Sequence, residues 1–144
     1  MDKRFDYRIA RFQHRFYEMQ FKELGINRSE GPYLKMINKY QLIKMNELIS
    51  KFYFHKSHST RVIQSLVGSG LVVKEIDPED KRGYILSITE AGKAKALKIE
   101  EVFAMWEKLV DSFINQEEKA CLAQLFEKVY QGLEDYFKEE EAGE

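Results

Sequence analysis

The stretch from Lys56 to Ser65 reads KSHSTRVIQS. At helical spacing Lys56, Ser57, Thr60, Arg61, Gln64 and Ser65 share one face, opposite Ser59, Val62, Ile63, Leu66 and Val67. In a chain that is 33% charged, this polar face holds no acidic residue. Lysine and arginine neutralise phosphates, while Ser, Thr, Gln and Arg hydrogen-bond to base edges, so the face has the chemistry to enter a DNA major groove. The plainer reading of the same residues is a solvated helix surface. Further on, Asp77-Pro78-Glu79-Asp80-Lys81-Arg82-Gly83 sets two adjacent cations in turn-forming sequence. Those cations suit phosphate or minor-groove contact, or the simple solubility of a hairpin tip.

Other reactive side chains offer less. His55 and His58 have a spacing that could place two imidazoles on one helical face, as a zinc site does, but no Cys or further His accompanies them. No metal site and no cofactor are expected. Cys121 lies beside Leu122 and Leu125 on an amphipathic pattern, which suggests an inert, buried or partly buried thiol. The sequence has no Gly-rich phosphate loop, no fixed pair of carboxylates and no Ser/His/Asp arrangement, so an enzyme is not expected. Phe12, Phe16, Tyr17, Tyr33 and Tyr40 could line a pocket for a small aromatic or lipophilic effector, although aromatic stripes at helical spacing more often form core.

The elements that must position these residues can be read in order. Asp2 to about Glu23 has helical spacing, with Phe5, Ile9, Phe12, Phe16, Met19 and Phe21 apolar and Tyr7 and Tyr17 on another side. Gly25 ends it. Asn27 to Glu30 offers a capping box for a second helix through Tyr33, Leu34, Ile37 and Tyr40, with a distortion expected at Pro32. Leu42-Ile43 suits one rung of a small sheet. A third helix covers about Met45–Phe52 and a fourth runs from about 55 to Ser69. Leu71–Ile76 and Tyr84–Thr89 read as two antiparallel strands. Thr89 caps a long helix to about Phe113. Asn115 to Glu118 is a second capping box, opening a last helix with Leu122, Leu125, Phe126, Val129, Leu133, Tyr136 and Phe137 expected inward. The tail KEEEAGE reads as a frayed end. Two short helices, two strands around a charged tip and a return to helix is the order of a winged helix-turn-helix.

The whole chain of 144 residues, 44% apolar and 13% aromatic, is long enough for one packed domain. No apolar run approaches the ~18 residues of a membrane span, the N-terminus lacks the apolar core of a signal peptide, and one cysteine fits a reducing cytoplasm. The net charge of −1 averages unlike segments: residues 39–98 carry eleven basic and six acidic groups, and residues 99–144 carry four basic and thirteen acidic. DNA would be met by the middle and repelled by the tail.

Thr60-Arg61, Leu66, Gly70-Leu71, Asp77-Pro78-Glu79-Asp80-Lys81-Arg82 and Leu86-Ser87-Ile88-Thr89-Glu90-Ala91-Gly92, in this order of helices, resemble the MarR family of bacterial transcription regulators over roughly residues 5–140. The resemblance implies a mainly α fold with a small β-hairpin wing, as one MarR-like domain over 1–144. Within it, 27–89 would be the DNA-binding lobe, and 1–26 and 90–144 the helices that interlock an obligate homodimer. It also implies a cytoplasmic repressor on double-stranded DNA, at a palindromic operator. Lys56, Ser57, His58, Thr60, Arg61 and Gln64 would lie on the recognition helix. Lys81 and Arg82 would form the wing contact, with Arg82 in the minor groove and Asp80 orienting the wing by pairing with a nearby basic group. A small effector would release DNA by changing the spacing of the two recognition helices from one DNA turn, about 34 Å. Three residues depart from the family pattern: Lys44 and His55 stand where helix caps are usual, and Ser59 replaces a small apolar residue. Two other readings stay open, a redox sensor acting through Cys121 and a winged-helix protein-interaction module that does not read DNA.

Overall fold

The computed structural model describes residues 7–52 and 55–143. It contains helices α1 (Tyr7–Glu23), α2 (Glu30–Tyr40), α3 (Met45–Ser50), α4 (Lys56–Gly68), α5 (Glu90–Asp111) and α6 (Gln116–Ala142), with strands β1 (Leu42–Lys44), β2 (Val72–Ile76) and β3 (Tyr84–Ile88). The expected start of α1 at Asp2 lies outside the described residues. The chain forms two compact units, Met1–Trp106 and Glu107–Glu144.

In the first unit, each junction follows from a few residues. Gly25 adopts φ 71°, and Gly25 N–H donates to the Lys22 carbonyl and Ile26 N–H to the Phe21 carbonyl, both at 3.1 Å. This is a Schellman end, with Ile26 and Phe21 both buried as its apolar clasp. The Asn27–Glu30 capping box forms: Asn27 N–H donates to Glu30 Oε2 at 2.9 Å, and Glu30 N–H to Asn27 Oδ1 at 3.1 Å. It closes a lead-in turn, however, because the helix proper begins at Glu30. Pro32 therefore falls in the first turn of α2, where a missing N–H costs no helical bond, and the distortion expected there is not needed.

The sheet has the order β1-β3-β2, antiparallel throughout, with Ile43 opposite Leu86 and Val72 opposite Ile88. Ile43, Val72 and Leu86 are buried. They cover a core of Leu34 and Ile37 from α2, Leu48 from α3, and Val62, Ile63 and Leu66 from α4, joined by Ala96, Ile99 and Val102 from α5. The inward sides expected of α3 and α4 are therefore the observed ones, although α3 is two residues shorter than expected and ends at Ser50.

The junction from wing to α5 is tightly determined. Thr89 N–H donates to the Leu71 carbonyl at 3.1 Å, Thr89 Oγ1 donates to the Gly70 carbonyl at 2.8 Å, and the same oxygen accepts from Gly92 N–H at 3.0 Å. Thr89 thus caps α5, as the sequence suggested. A Cβ at Gly92 would stand 2.1 Å from the Leu71 carbonyl oxygen. The Thr-x-x-Gly spacing is a cap plus a close backbone approach.

In the second unit, Asn115 and Glu118 form a complete capping box at the start of α6. The helix then runs to Ala142, through most of the acidic tail expected to fray. Leu122, Leu125, Phe126, Val129, Leu133, Tyr136 and Phe137, expected inward, are all exposed. A stripe at helical spacing identifies an apolar face, but it does not say whether the same chain covers it. Tyr7, Ile9, Phe12 and Met19 on α1 are exposed as well.

Candidate nucleic-acid interface

Helix α4 is held from behind by two polar contacts as well as by its apolar face. Ser59, fully buried, shares a 2.7 Å hydrogen bond with the Tyr33 hydroxyl, and the Tyr33 ring stacks on Phe52 with centroids 4.0 Å apart. The buried Glu30 carboxylate accepts from Ser65 Oγ while its other oxygen completes the capping box. Ser65 is therefore tied to α2 instead of serving the polar face.

Lys56, Ser57, Arg61 and Gln64 are exposed, and Thr60 is half-buried with its hydroxyl donated to the Lys56 carbonyl at 2.8 Å. Among the described residues, the side chains of Lys56, Ser57, Arg61 and Gln64 make no hydrogen bond or ion pair within the chain, so their donors and acceptors are open to a ligand. His55 is the N-cap of α4 in extended conformation without a side-chain cap, and the first turn holds no acidic residue. The positive end of the helix dipole is thus left uncompensated. His58, half-buried, also lines a cleft.

Beyond β2 the tip folds on itself. Asp77, 4% exposed, accepts from Glu79 N–H at 2.9 Å, and Asp77 N–H donates to the Gly83 carbonyl at 3.0 Å. Asp80 accepts from the backbone N–H of Arg82 at 3.1 Å. The basic partner expected for Asp80 is found on its neighbours instead: Lys44 Nζ lies 3.5 Å from Asp77 and 3.2 Å from Glu79. The bond to Glu79 and the attraction of Asp77 raise the Lys44 pKa. The Glu79 N–H bond, followed by the Lys44 charge, lowers that of Asp77 against the opposing effect of burial. Lys81 and Arg82 remain exposed at the tip. Nothing in the sequence signalled the Lys44 contact, because its partners lie 33 and 35 positions away.

The cleft, about 780 Å³, is lined by Tyr17, Phe21, Tyr33 and Phe103, with Arg11, His14, Arg28 and His58 among its polar walls. Of the five aromatics considered for an effector pocket, Tyr17 and Tyr33 line it. Phe16 packs on Trp106 at 5.5 Å, Phe12 is exposed beneath Arg11, and Tyr40 sits under Lys51. Phe21 and Phe103, not singled out from sequence, were hidden among core aromatics. Cys121 is exposed, contrary to the buried or partly buried thiol expected. No group of three or more His, Cys, Asp or Glu side chains that could hold a metal occurs among the described residues. No helix described is long and apolar enough to cross a membrane.

A buried three-helix core, an open polar helix and a three-stranded sheet ending in a cationic tip define a winged helix-turn-helix protein. Residues 26–84 match the model of the MarR family. The chain is 32% identical over 75 residues to the HTH-type transcriptional regulator BilQ of Clostridioides difficile (strain CD3), an alignment covering 52% of this chain and 51% of that protein. It therefore spans about half the length of that relative. A MarR protein from Peptoclostridium difficile superposes with TM-score 0.83 at 25% identity, covering 94% of this chain and 93% of that one. A mutant MarR from E. coli complexed with operator DNA has the same fold, with TM-score 0.77 at 22% identity over 85% and 89% of the two chains. The chain is thus similar to MarR-type transcriptional regulators in the segment 26–84 and in its fold.

Proposed function

We propose that this protein is a cytoplasmic homodimeric transcriptional regulator that binds an inverted repeat in double-stranded DNA and represses from it. The observation that carries the reading is the acid-free, unpartnered face of Lys56, Ser57, Arg61 and Gln64 at an uncapped helix N-terminus, flanked by a tip bearing Lys81 and Arg82. Arg61 and Gln64 would read base edges, with Ser57 and Thr60 beside them. Lys56 and Lys81 would neutralise phosphates, and Arg82 would enter the minor groove. The MarR structure solved with operator DNA supports a DNA target for this fold.

Dimerisation would run through residues 1–26 and 90–144 of one MarR-like domain. Leu125, Phe126, Leu133 and Phe137 on α6, each more than half exposed in the single chain, supply an apolar face of the kind a second copy covers. In sedimentation or light scattering the chain should be a dimer. A small aromatic or lipophilic effector in the cleft beside Tyr17 and Tyr33 would shift α4 through Ser59 and mis-space the two recognition helices.

Selection of binding sites from random duplex DNA tests the reading. An enriched inverted repeat supports it. Recovery of no sequence by a folded dimer contradicts it and favours a protein-interaction role.

A further inference from the structure

We propose that Lys44 is a positioning residue for the wing, locking its tip to the start of α3 so that Arg82 is held in fixed relation to α4. The inference rests on the DNA-binding reading above. Lys44 is the last residue of β1 and the N-cap of α3, where its side chain caps nothing. Because the sheet order is β1-β3-β2, its ammonium reaches past β3 to the loop that leaves β2. There it meets Asp77 at 3.5 Å and Glu79 at 3.2 Å. Among the described residues neither carboxylate has another cationic partner.

From that clip the tip is bonded onward to the DNA-directed cation. Asp77 accepts from Glu79 N–H and closes the loop onto Gly83, while Asp80 receives Gly83 N–H at 2.9 Å through its carbonyl and Arg82 N–H at 3.1 Å through its side chain. A hairpin that extends from a three-stranded sheet is otherwise held only by its own turn. Fixing it before binding removes part of the ordering cost that the complex would bear. The carboxylate of Asp77 is buried while the cation is half in solvent, so the anion is the anchored end and the lysine is what joins it to α3.

The test uses the full chain and a duplex recovered by selection from random DNA, in a double-mutant cycle at moderate salt. Lys44→Met is expected to weaken binding by about fivefold in the wild-type background and by less than about twofold in Arg82→Ala, because coupled residues lose the same interaction once. Lys44→Arg, which still spans the two carboxylates, should restore affinity. Glu79→Gln should weaken binding although it removes a negative charge from the tip, where charge alone would tighten it. Equal losses from Lys44→Met in both backgrounds would show a direct phosphate contact and overturn the positioning role. Tighter or unchanged binding by Glu79→Gln would overturn it too. If the wild type recovers no duplex, the DNA-binding reading fails and this inference with it. If the wild type binds and the cycle is additive, only the positioning role fails.

Discussion

The hydrogen bond between Tyr33 and Ser59 joins the wall of the cleft to the back of α4, and its energetics can be worked from the burial on each side. Tyr33 is 1% and Ser59 0% exposed, and the oxygens are 2.7 Å apart. Tyr33→Phe removes one partner while keeping the ring on Phe52. The remaining hydroxyl of Ser59 has no water to turn to, so the expected cost is about 1–3 kcal/mol, the penalty of a buried unsatisfied polar group. Part of this is recovered if Ser59 rotates to a carbonyl of the preceding helical turn, as helical serines can, which places the estimate near 1.5 kcal/mol. The double variant Tyr33→Phe/Ser59→Ala removes both polar atoms and leaves a cavity of about two oxygens, one more than Tyr33→Phe, yet it buries no unsatisfied group, so it should be more stable than Tyr33→Phe alone. Urea unfolding of the wild type and both variants, with the m-value checked for constancy, reads these differences directly. A single variant within about 0.5 kcal/mol of the wild type, or a double variant less stable than Tyr33→Phe alone, would refute the reasoning.

Three other outcomes follow from particular contacts. Gly92→Ala forces a methyl group to within 2.1 Å of the Leu71 carbonyl oxygen; overpacking of this kind costs about 1–3 kcal/mol, visible as a lowered thermal midpoint, and a midpoint equal to the wild type would contradict the close approach. The lowered pKa of Asp77 means its stabilisation is complete above the ordinary carboxylate value, about 4, and is lost as pH falls through the depressed one. The raised pKa of Lys44 gives the opposite limit, a contribution present below its ordinary value and lost only as pH rises through the raised one. The stability gap between wild type and Asp77→Asn should therefore be constant from pH 5 to pH 9 and shrink in strong acid; a gap unchanged at pH 2 would argue against the ion pair. Arg82→Ala should weaken DNA binding by at least about 1 kcal/mol if the wing contacts the duplex, measured on the selected site at moderate salt.

Much of the fold was legible in the sequence because its signals are local. The capping box at Asn115, the left-handed Gly25 and the Thr89–Gly92 helix start depend on residues a few positions apart, and each forms as read, while the Asn27 box forms just ahead of its helix. Leu48, Val62, Ile63 and Leu66 were inward for the same reason, since period alone fixes a helix face. The failures come from contacts that period does not encode. The apolar stripe of α6 was expected inward, yet it is exposed in the single chain, because spacing tells which residues share a face and not which molecule covers it. Asp80 was given a basic partner, but the cation comes from Lys44 in a distant strand and reaches Asp77 and Glu79 instead. The polar face of α4 was recognised from its lack of acids. Ser65, indistinguishable from its neighbours by type, donates to Glu30.

The salt dependence of DNA binding tests the central claim most directly. If Lys56 and Lys81 of each subunit in a dimer meet phosphates, the logarithm of the binding constant on the selected duplex should fall against the logarithm of salt with a slope of about −4. A slope near zero, from a folded dimer that still binds, would contradict an extended phosphate surface on this face.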